Sequence, residues 1–199
     1  MHQDARTAAM PLGDCSDGDL AALALTGRQA AYGELMRRYR EPVFRLVRGH
    51  VGDADEALDV VQETFVAAFA SISRYDTDRP FRHWINRIAL NKCRDWGRRR
   101  AVRRFFSFAL PIGAAETIVD DAIFGESMVD DARALRSTED ALARLPAALK
   151  EPLILTVIDG LSQAEAASVL GLTEKAVEVR IYRARKSLEA MLAAGKREG

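Results

Sequence analysis

Apolar side chains recur at helical spacing along residues 19–104 and again along residues 137–194. Repeats at i, i+3, i+4 and i+7 put these side chains on one face of an α-helix, and that face must be buried against other helices. No segment shows the regular alternation of apolar and polar residues that indicates a half-buried strand. The chain is therefore predicted to be all-α. Its 199 residues, 48% of them hydrophobic, suffice for the cores of two small helical domains.

Glycine, proline and the loss of helical periodicity divide the chain into four parts. Gly27 interrupts the first helical run, and Pro80 opens a new helix, because the first helical position needs no backbone donor. Further along the chain the helical periodicity of apolar residues is lost. Pro111, Gly113 and scattered acidic residues follow there, which is typical of a linker. The predicted parts are a disordered tail at 1–16, a first helical domain at 17–104, a long acidic linker at 105–137 and a second helical domain at 138–194.

The formal net charge is zero, but the charges are segregated along the chain. Between Arg74 and Arg104, eleven basic residues stand against three acidic ones. From Phe105 to Asp140 the balance reverses, with acidic residues outnumbering Arg133 and Arg136. A basic block beside an acidic block indicates a nucleic-acid-binding surface that the total charge hides.

Cysteine and histidine usage argues against disulfides and metal sites. Cys15 and Cys93 form no CxxC pair, and no signal-peptide pattern opens the sequence, so a reduced, cytoplasmic setting is predicted. His83 has no neighbouring Cys or His, and neither a metal nor a cofactor is predicted. No apolar run is long enough to cross a bilayer, which predicts a soluble protein without membrane insertion.

The segment LSQAEAASVLGLTEKAVEVRIYRARKSL carries the pattern of a helix-turn-helix. Ser162 and Glu165 form an S-x-x-E capping box that starts a short helix. Gly171 ends that helix, and Thr173 is a good N-cap for the next one. Two helices joined by about three residues that include a glycine are what this fold requires.

The second helix of this pair is predicted to have a buried side and a basic side. Val177, Ile181, Ala184 and Leu188 fall together on a helical wheel, roughly opposite Lys175, Val179, Arg183 and Lys186. An ordinary solvated face would explain the charges but not Val179 among them. This residue favours a docking surface, on which a thymine methyl is a possible contact. Lys175, Val179 and Arg180 are expected to approach base edges, whereas Arg183 and Lys186 are expected to contact phosphates.

The helix that follows Pro80 carries a second candidate for nucleic-acid contact. Arg87, Asn91, Arg94 and Arg98 are spaced so that they line up along one side, where they match a phosphate backbone. A solubilising face would usually carry both acidic and basic residues, and here Asp95 is the only acidic one. Trp84 lies in the apolar stripe of this helix and is expected to pack in the core, while the role of Trp96 stays open.

The segment DVVQETF interrupts an apolar helical stripe with three polar residues. The helix is predicted over about residues 54–75, with its buried stripe formed by Leu58, Val61, Phe65, Ala68, Phe69 and Ile72. Asp59, Gln62 and Glu63 share the other side. They are either plain solvated surface or, since the basic faces are the ones suited to DNA, a contact for a protein partner.

The chain resembles the bacterial extracytoplasmic-function (ECF) sigma factors over about residues 19–192. The resemblance is carried by four features in this order: DVVQETF, the helix PFRHWINRIALNKCRDWGRRR, an acidic linker and the helix-turn-helix. The resemblance implies a first domain that engages core RNA polymerase and the promoter −10 element, and a second that reads the −35 element. It also implies the β′ clamp helices and β subunit of polymerase, promoter DNA and an anti-sigma factor as partners.

The resemblance also assigns roles to individual residues. The positions that match polymerase docking on the clamp helices are Asp59, Gln62 and Glu63. Those that match the loop capturing a flipped −10 base, and the helix beside that strand, are Arg74, Tyr75, Asp76, Arg79, Arg87, Asn91, Arg94 and Arg98. Those that match the −35 recognition helix are Thr173, Lys175, Val179, Arg180, Arg183 and Lys186. Glu178 and Val179 depart from the T-V-K-S-R run that is common in the family, so the −35 preference cannot be carried over.

Two other functions explain part of the sequence. A sigma-fold mimic would sequester an anti-sigma factor without binding promoters, but the intact arginine row argues against it. A conventional helix-turn-helix regulator explains the C-terminal block and leaves the arginine row and Asp59, Gln62 and Glu63 without a role. An enzyme is disfavoured, because no nucleophile–base pair, metal-ligand spacing or Gly-rich phosphate loop is present, and no catalytic residue is predicted.

Overall fold

The computed structural model describes residues 11–109 and 137–195, with only the backbone described for 107–109, and all regular structure within these ranges is helical. The N-terminal helices are α1 (Asp17–Leu25), α2 (Gln29–Val51), α3 (Ala54–Ala70) and α4 (Phe81–Ala109), with short 3-10 turns at Leu12–Asp14 and Ile72–Arg74. The C-terminal helices are α5 (137–144), α6 (Ala147–Leu153), α7 (Gln163–Leu170) and α8 (Glu174–Gly195). The all-α prediction is confirmed.

The segment before α1 is ordered from residue 11 onward, unlike the tail expected over 1–16. Ser16 caps α1 with a capping box in which its hydroxyl accepts from the Asp19 amide at 3.1 Å. Cys15 is buried, and the carbonyl oxygens just before it accept hydrogen bonds from the Arg38 guanidinium. The predicted tail at 1–10 lies outside the described residues. The S-x-x-D pattern at Ser16 was a signal for this cap.

The N-terminal helices enclose an aromatic and aliphatic core. Phe65 and Phe81 are fully buried with Leu35 and Leu46. The predicted stripe is buried at Val61, Phe65 and Ala68 of α3, and Phe69 packs against the core. The helix ends at Ala70 rather than near 75, and the buried Ile72 lies in the 3-10 turn that follows. Leu58 departs from the prediction, because it is 48% exposed in a groove between α2 and α3 while Ala57 and Val60 turn inward.

Helix α4 is longer than its sequence pattern indicated. It begins after Pro80 as predicted and continues through Ala109, so the first five residues of the expected linker, 105–109, are helical. Trp84 packs against the rings of Tyr75 and Phe81 with centroid separations of 5.4 and 5.3 Å. The expected packing role of Trp84 is therefore confirmed. The remaining part of the predicted linker, 110–136, lies outside the described residues.

The C-terminal helices form the predicted helix-turn-helix. The capping box is present, with the Ser162 hydroxyl accepting from the Glu165 amide at 3.2 Å. Gly171 ends α7 with a φ of 67°, a left-handed value that glycine adopts without strain. Thr173 caps α8 by accepting from the Ala176 amide at 3.2 Å. Ahead of these helices, α6 continues into one π-helical turn at Ile154–Ile158, and Asp159 follows that turn.

The two sets of helices pack directly on each other. Helix α2 contacts the π turn that follows α6, and helix α4 contacts α7. Gly49 permits this approach, because a Cβ atom built there would lie 2.8 Å from the Ile158 Cδ1 atom. This contact places the basic side of α4 against the C-terminal helices.

Replacing Ser162 with alanine tests the cap that starts the helix-turn-helix. The change removes an acceptor for a backbone donor at the first turn of α7, and we expect the free energy of unfolding to fall by about 1 kcal/mol in chemical denaturation. The matched control is Ser168→Ala, at an exposed position inside the same helix, which we expect to change stability by less than about 0.5 kcal/mol. Equal effects of the two variants would contradict a capping role.

Candidate functional site

Helix α8 presents the predicted division into a buried side and a basic side. Val177, Ile181 and Ala184 are buried, and Leu188 packs against the core. Lys175, Arg183 and Lys186 are exposed, Arg180 is partly buried, and Val179 is 36% exposed among them. Lys175 Nζ lies 2.7 Å from the Glu178 carboxylate, an exposed pair that is weak in water. The face therefore offers cations around an apolar centre.

The polar residues of DVVQETF lie on the outer side of α3, opposite the core. Asp59 and Gln62 are exposed, and Glu63 is half-exposed. The Glu63 carboxylate accepts from Arg99 of α4 at 3.0 Å, which fixes its position. The neighbouring groove between α2 and α3 has a volume of about 650 Å³ and is lined by Met36, Phe44 and Leu58 together with charged residues of α2. Apolar side chains with polar residues around them are the usual composition of a protein-binding surface.

The loop between α3 and α4 holds the next set of predicted residues together. Arg79 pairs with the Asp76 carboxylate at 3.2 Å, and the Tyr75 hydroxyl donates to the Arg79 carbonyl oxygen at 2.7 Å. Arg74, Asp76 and Arg79 are exposed, whereas the Tyr75 ring packs edge-to-face against Phe81 at the start of α4. The loop thus exposes polar groups beside the packed rings of Tyr75, Phe81 and Trp84.

The predicted arginine row does lie along one side of α4, where Arg87, Asn91 and Arg98 are exposed and Arg94 is partly buried. Arg87 donates to the carbonyl oxygens of Ser168 and Val169 in α7, at 2.8 and 3.2 Å. Arg94 donates to Asn91 at 3.0 Å and also binds α6. Arg98 is exposed and pairs with Asp95 of its own helix. The structure therefore brings the row together and sets two of its three arginines against the C-terminal helices.

Glu151 is the centre of one buried polar cluster between the two sets of helices. This carboxylate is 4% exposed and binds the Arg94 guanidinium through two contacts, at 2.7 and 2.5 Å. His50 Nε2 of α2 lies 3.6 Å from Oε1, the oxygen that also accepts from Arg94 Nε. Burial opposes the charge of Glu151, but His50 and Arg94 outweigh it and lower the pKa of this carboxyl. Burial likewise lowers the pKa of His50, which favours a neutral imidazole.

Lys150 and Asp159 complete the polar contacts at this boundary. The Lys150 ammonium is buried, where desolvation lowers its pKa to about 8, and it donates to the carbonyl oxygens of His50 and Ala143 at 2.8 and 2.7 Å. Asp159 is 4% exposed and accepts from Arg82 at 2.8 Å and from Asn86 at 2.6 Å. Each buried charge thus meets a complementary group from the other set of helices.

Sequence reasoning missed these interface residues. Lys150, Glu151 and Asp159 sit in the strongly apolar run LKEPLILTVIDGL, and charged residues inside such a run are a signal for buried pairing. What the run could not reveal was their partners, because Arg82, Asn86 and Arg94 lie more than fifty residues away in the chain.

The two cysteines lie in the core formed by the described residues. Cys15 and Cys93 are both buried and free. Burial raises the pKa of Cys93 to about 12, so the reactive thiolate is strongly disfavoured. The described residues contain no group of three or more potential metal ligands. Among them, no helix combines the length and apolar character needed to span a membrane.

A helix-turn-helix with a basic outer face, packed on a second helical unit that carries an arginine row, defines a DNA-binding transcription protein. Two family models match the chain: Sigma-70 region 2 at residues 35–103 and Sigma-70, region 4 at residues 135–188. The sigma factor CnrH of Cupriavidus metallidurans is 42% identical over 180 residues, which are 89% of this chain and 94% of CnrH. The ECF sigma factor SigD of Mycobacterium bovis is 34% identical over 185 residues, which are 88% of this chain and 84% of SigD.

The chain therefore belongs to the ECF sigma factors of bacterial RNA polymerase, and its function is to direct that polymerase to promoters. The structure of CnrH in complex with the cytosolic domain of CnrY matches with a TM-score of 0.64 at 38% identity, over 89% of this chain and 97% of that chain. A structure of the sigma factor RpoE with the anti-sigma factor NepR from Bartonella quintana shares the fold, with a TM-score of 0.59 at 22% identity over 80% of this chain and 97% of that chain.

Acidification is expected to weaken the boundary between the two sets of helices. The folded pKa of His50 lies below its ordinary value of 6.5, so the unfolded chain binds more protons as the pH falls through that value. The lowered pKa of Glu151 acts in the same direction at more acidic pH. Below a pH of 6.5, His50 alone is expected to cost up to about 1.4 kcal/mol per pH unit in the free energy of unfolding.

Thermal or chemical unfolding followed between about pH 7.5 and about pH 5.5 measures this effect. His50→Gln is the control, because glutamine occupies a similar volume and does not titrate. We expect the control to lose less stability across the range than the wild type does. Parallel losses in the two proteins would show that His50 does not couple to the packing.

Proposed function

We propose that three surfaces of this sigma factor divide promoter recognition and polymerase binding among them. The observation that carries the proposal is the outer face of α8, where Val179 stands exposed among Lys175, Arg183 and Lys186 while the opposite side is buried. A solvated helix gains nothing from an apolar residue at the centre of its charged face. A helix that enters the major groove does, because its centre meets base edges and its flanks meet phosphates.

We assign −35 reading to α8 and its N-cap. Thr173, Lys175, Val179 and Arg180 lie in the first two turns, which is where a recognition helix meets bases. Arg183 and Lys186 lie further along the same side and are assigned to phosphates. The short turn at Gly171 holds α7 and α8 at a fixed angle, so α7 supports the helix from behind.

Two alanine variants separate base contacts from phosphate contacts. Arg183→Ala removes a phosphate contact, so we expect binding to weaken by a similar factor on every sequence and the salt dependence of binding to shrink by about one unit of slope. Arg180→Ala is expected to cost about 1–3 kcal/mol and to relax the preference at one base position. Binding of holoenzyme to a set of −35 substitutions, measured by fluorescence anisotropy, distinguishes them. A loss confined to one base position in Arg183→Ala would reverse the assignment.

We assign core-polymerase docking to Asp59, Gln62 and Glu63 of α3. The support is their position on the outer side of a helix whose inner side is core, next to the groove between α2 and α3 that Met36, Phe44 and Leu58 line in part. The β′ clamp helices of polymerase are the expected partner, with further contacts to the β subunit. Asp59 and Gln62 can be replaced without opening the core, which makes the assignment testable.

Replacing Asp59, Gln62 and Glu63 together with alanine is expected to reduce the affinity for core polymerase by tenfold or more, on the order of 1–3 kcal/mol, while the helical circular dichroism stays unchanged. Asp55→Ala is the matched control, since Asp55 is an exposed acid in the first turn of the same helix. Affinity is measured by competition against a labelled sigma factor. A triple variant that competes as well as Asp55→Ala would show that these residues are ordinary solvated surface and do not bind polymerase.

We assign −10 recognition to the loop before α4 and to the row along α4. Arg74, Tyr75, Asp76 and Arg79 form a polar loop over the aromatic cluster, which suits a pocket for an unstacked base. Arg87, Asn91, Arg94 and Arg98 follow the adjacent single strand. The protein is expected to act in the cytoplasm, to have no catalytic activity of its own and to be held inactive by an anti-sigma factor, as CnrH is bound by CnrY.

Transcription with purified components tests the function as a whole. The chain is added to core polymerase, and transcripts from a library of genomic promoter fragments are sequenced. We expect initiation at a small set of promoters that share a −35 and a −10 sequence. Binding to an anti-sigma factor with no initiation on any fragment would favour the sigma-fold mimic, and DNA binding without polymerase would favour a conventional helix-turn-helix regulator.

A further inference from the structure

We infer that the chain binds a small polyphosphate anion in a basic cavity that is lined by α2, α4, α5 and α6. The cavity has a volume of about 1040 Å³, which is at the upper end of the range of roughly 300–1,000 Å³ found for small-molecule sites. The ligand class is a chain of two or more phosphoryl groups, either free or attached to a nucleoside. Binding of this ligand requires neither DNA nor polymerase.

The lining of this cavity carries far more positive than negative charge. Two carboxylates, Asp53 and Asp140, stand against six cationic side chains, which are Lys150, Arg94, Arg98, Arg100, Arg104 and Arg144. The Asp53 carboxylate caps α3, where it accepts from the Glu56 amide at 2.9 Å, so its charge is directed at the start of that helix. A cleft lined mainly by one sign of charge attracts and concentrates ions of the opposite sign.

The arginines at the mouth of the cavity are able to turn towards a ligand. Arg98 pairs with Asp95 and Arg100 pairs with Glu56, but both arginines are exposed, and exposed ion pairs are weak in water. Exchanging such a carboxylate for a phosphate therefore costs little. Arg144 is also exposed and lines the cavity from α5, so the cations converge on the same space from both sets of helices.

Lys150 is the buried cation of the lining, with 5% of its surface exposed. Its ammonium donates to the carbonyl oxygens of His50 and Ala143, and because an ammonium has three donors, one is left over. Burial lowers the pKa of Lys150 to about 8, which means that the neighbouring groups do not fully compensate its charge. A phosphate oxygen would supply both the missing acceptor and the missing negative charge.

Trp96 adds a further donor to the same cavity. Its indole Nε1 is buried and has no hydrogen-bond partner among the described residues, and the Arg100 guanidinium lies over its ring, 5.1 Å from the centroid. A rotation of Arg100 towards an anion would uncover this N–H group.

The chemistry of the lining selects the class of ligand. Lysine, arginine and tryptophan side chains only donate hydrogen bonds, so the complementary ligand is rich in acceptors and negatively charged. The arginine fork matches phosphate oxygens through two parallel hydrogen bonds. Because the six cations surround a space much larger than a single inorganic ion, an anion with several linked phosphoryl groups fits the site better than a lone phosphate does.

Calorimetric titration of the full chain with sodium tripolyphosphate and, separately, with ATP tests the site, in buffer without divalent cations. We expect saturable binding of one anion per chain and a change in tryptophan fluorescence on binding. We also expect the midpoint of thermal unfolding to rise with ligand concentration, because a ligand that binds the folded chain stabilises it by mass action.

Two variants locate the binding. Arg144→Ala removes a charge-assisted hydrogen bond at the surface, and we expect it to weaken the affinity about tenfold. The matched control is Arg185→Ala, which removes the same charge from an exposed position of α8 outside the cavity and is expected to bind as the wild type does. Trp96→Phe keeps an aromatic ring but lacks the N–H group, so we expect weaker binding and, with Trp84 as the remaining tryptophan, no fluorescence response. Circular dichroism confirms that each variant is folded.

Comparing the two ligands identifies the part of the anion that is recognised. Tighter binding of ATP would show that the nucleoside contributes, whereas equal affinities would show that the phosphoryl chain is sufficient, and either result supports the inference. Absence of binding to both ligands at millimolar concentration would overturn it. So would an equal loss of affinity in Arg144→Ala and Arg185→Ala, since this would mean that the anions are attracted by the net charge rather than held in the cavity.

Discussion

The ion pair between Arg94 and Glu151 is the interaction on which the arrangement of the whole molecule depends. It joins α4 to α6 across the boundary between the two sets of helices, with almost no solvent on the carboxylate. A buried pair of this kind adds little net stability compared with apolar packing, but it strongly disfavours any arrangement that leaves one partner alone. It therefore selects one relative placement of the helices, which Asp159 with Arg82 and Asn86 then supports.

This placement brings carboxylates from other helices onto the strongly basic helix α4. The carboxylates that neutralise α4 come from its own neighbours in the fold, Glu56 and Glu63 on α3 and Glu151 and Asp159 on the C-terminal helices. Among residues 11–109 and 137–195, the one carboxylate that pairs with a cation on the outer face of α8 is that of Glu178, at Lys175. The cations of α8 are therefore less compensated by neighbouring carboxylates than those of α4 are.

Local sequence signals predicted most of the helices and their ends. The capping box at Ser162, the left-handed glycine at 171 and the cap at Thr173 are short-range interactions, so they could be read directly from residue order. Two predictions about individual helices were wrong, one on the burial of a residue and one on the end of a helix. Leu58 continues the apolar spacing of α3 but lies where α2 no longer covers it, and α4 runs on through residues whose composition resembled a linker.

For the candidate surfaces too, the sequence predicted the local arrangement of residues but not their tertiary contacts. Periodicity by itself determined which residues share a side of α3, α4 or α8, because helix geometry converts spacing into direction. It did not determine what each side faces. Only the tertiary structure decided that Arg87 and Arg94 meet protein, that Val179 stays exposed and that Gly49 lets the helices touch. The physical reason is that these contacts join residues far apart in the chain, and their energies depend on burial, which no local pattern records.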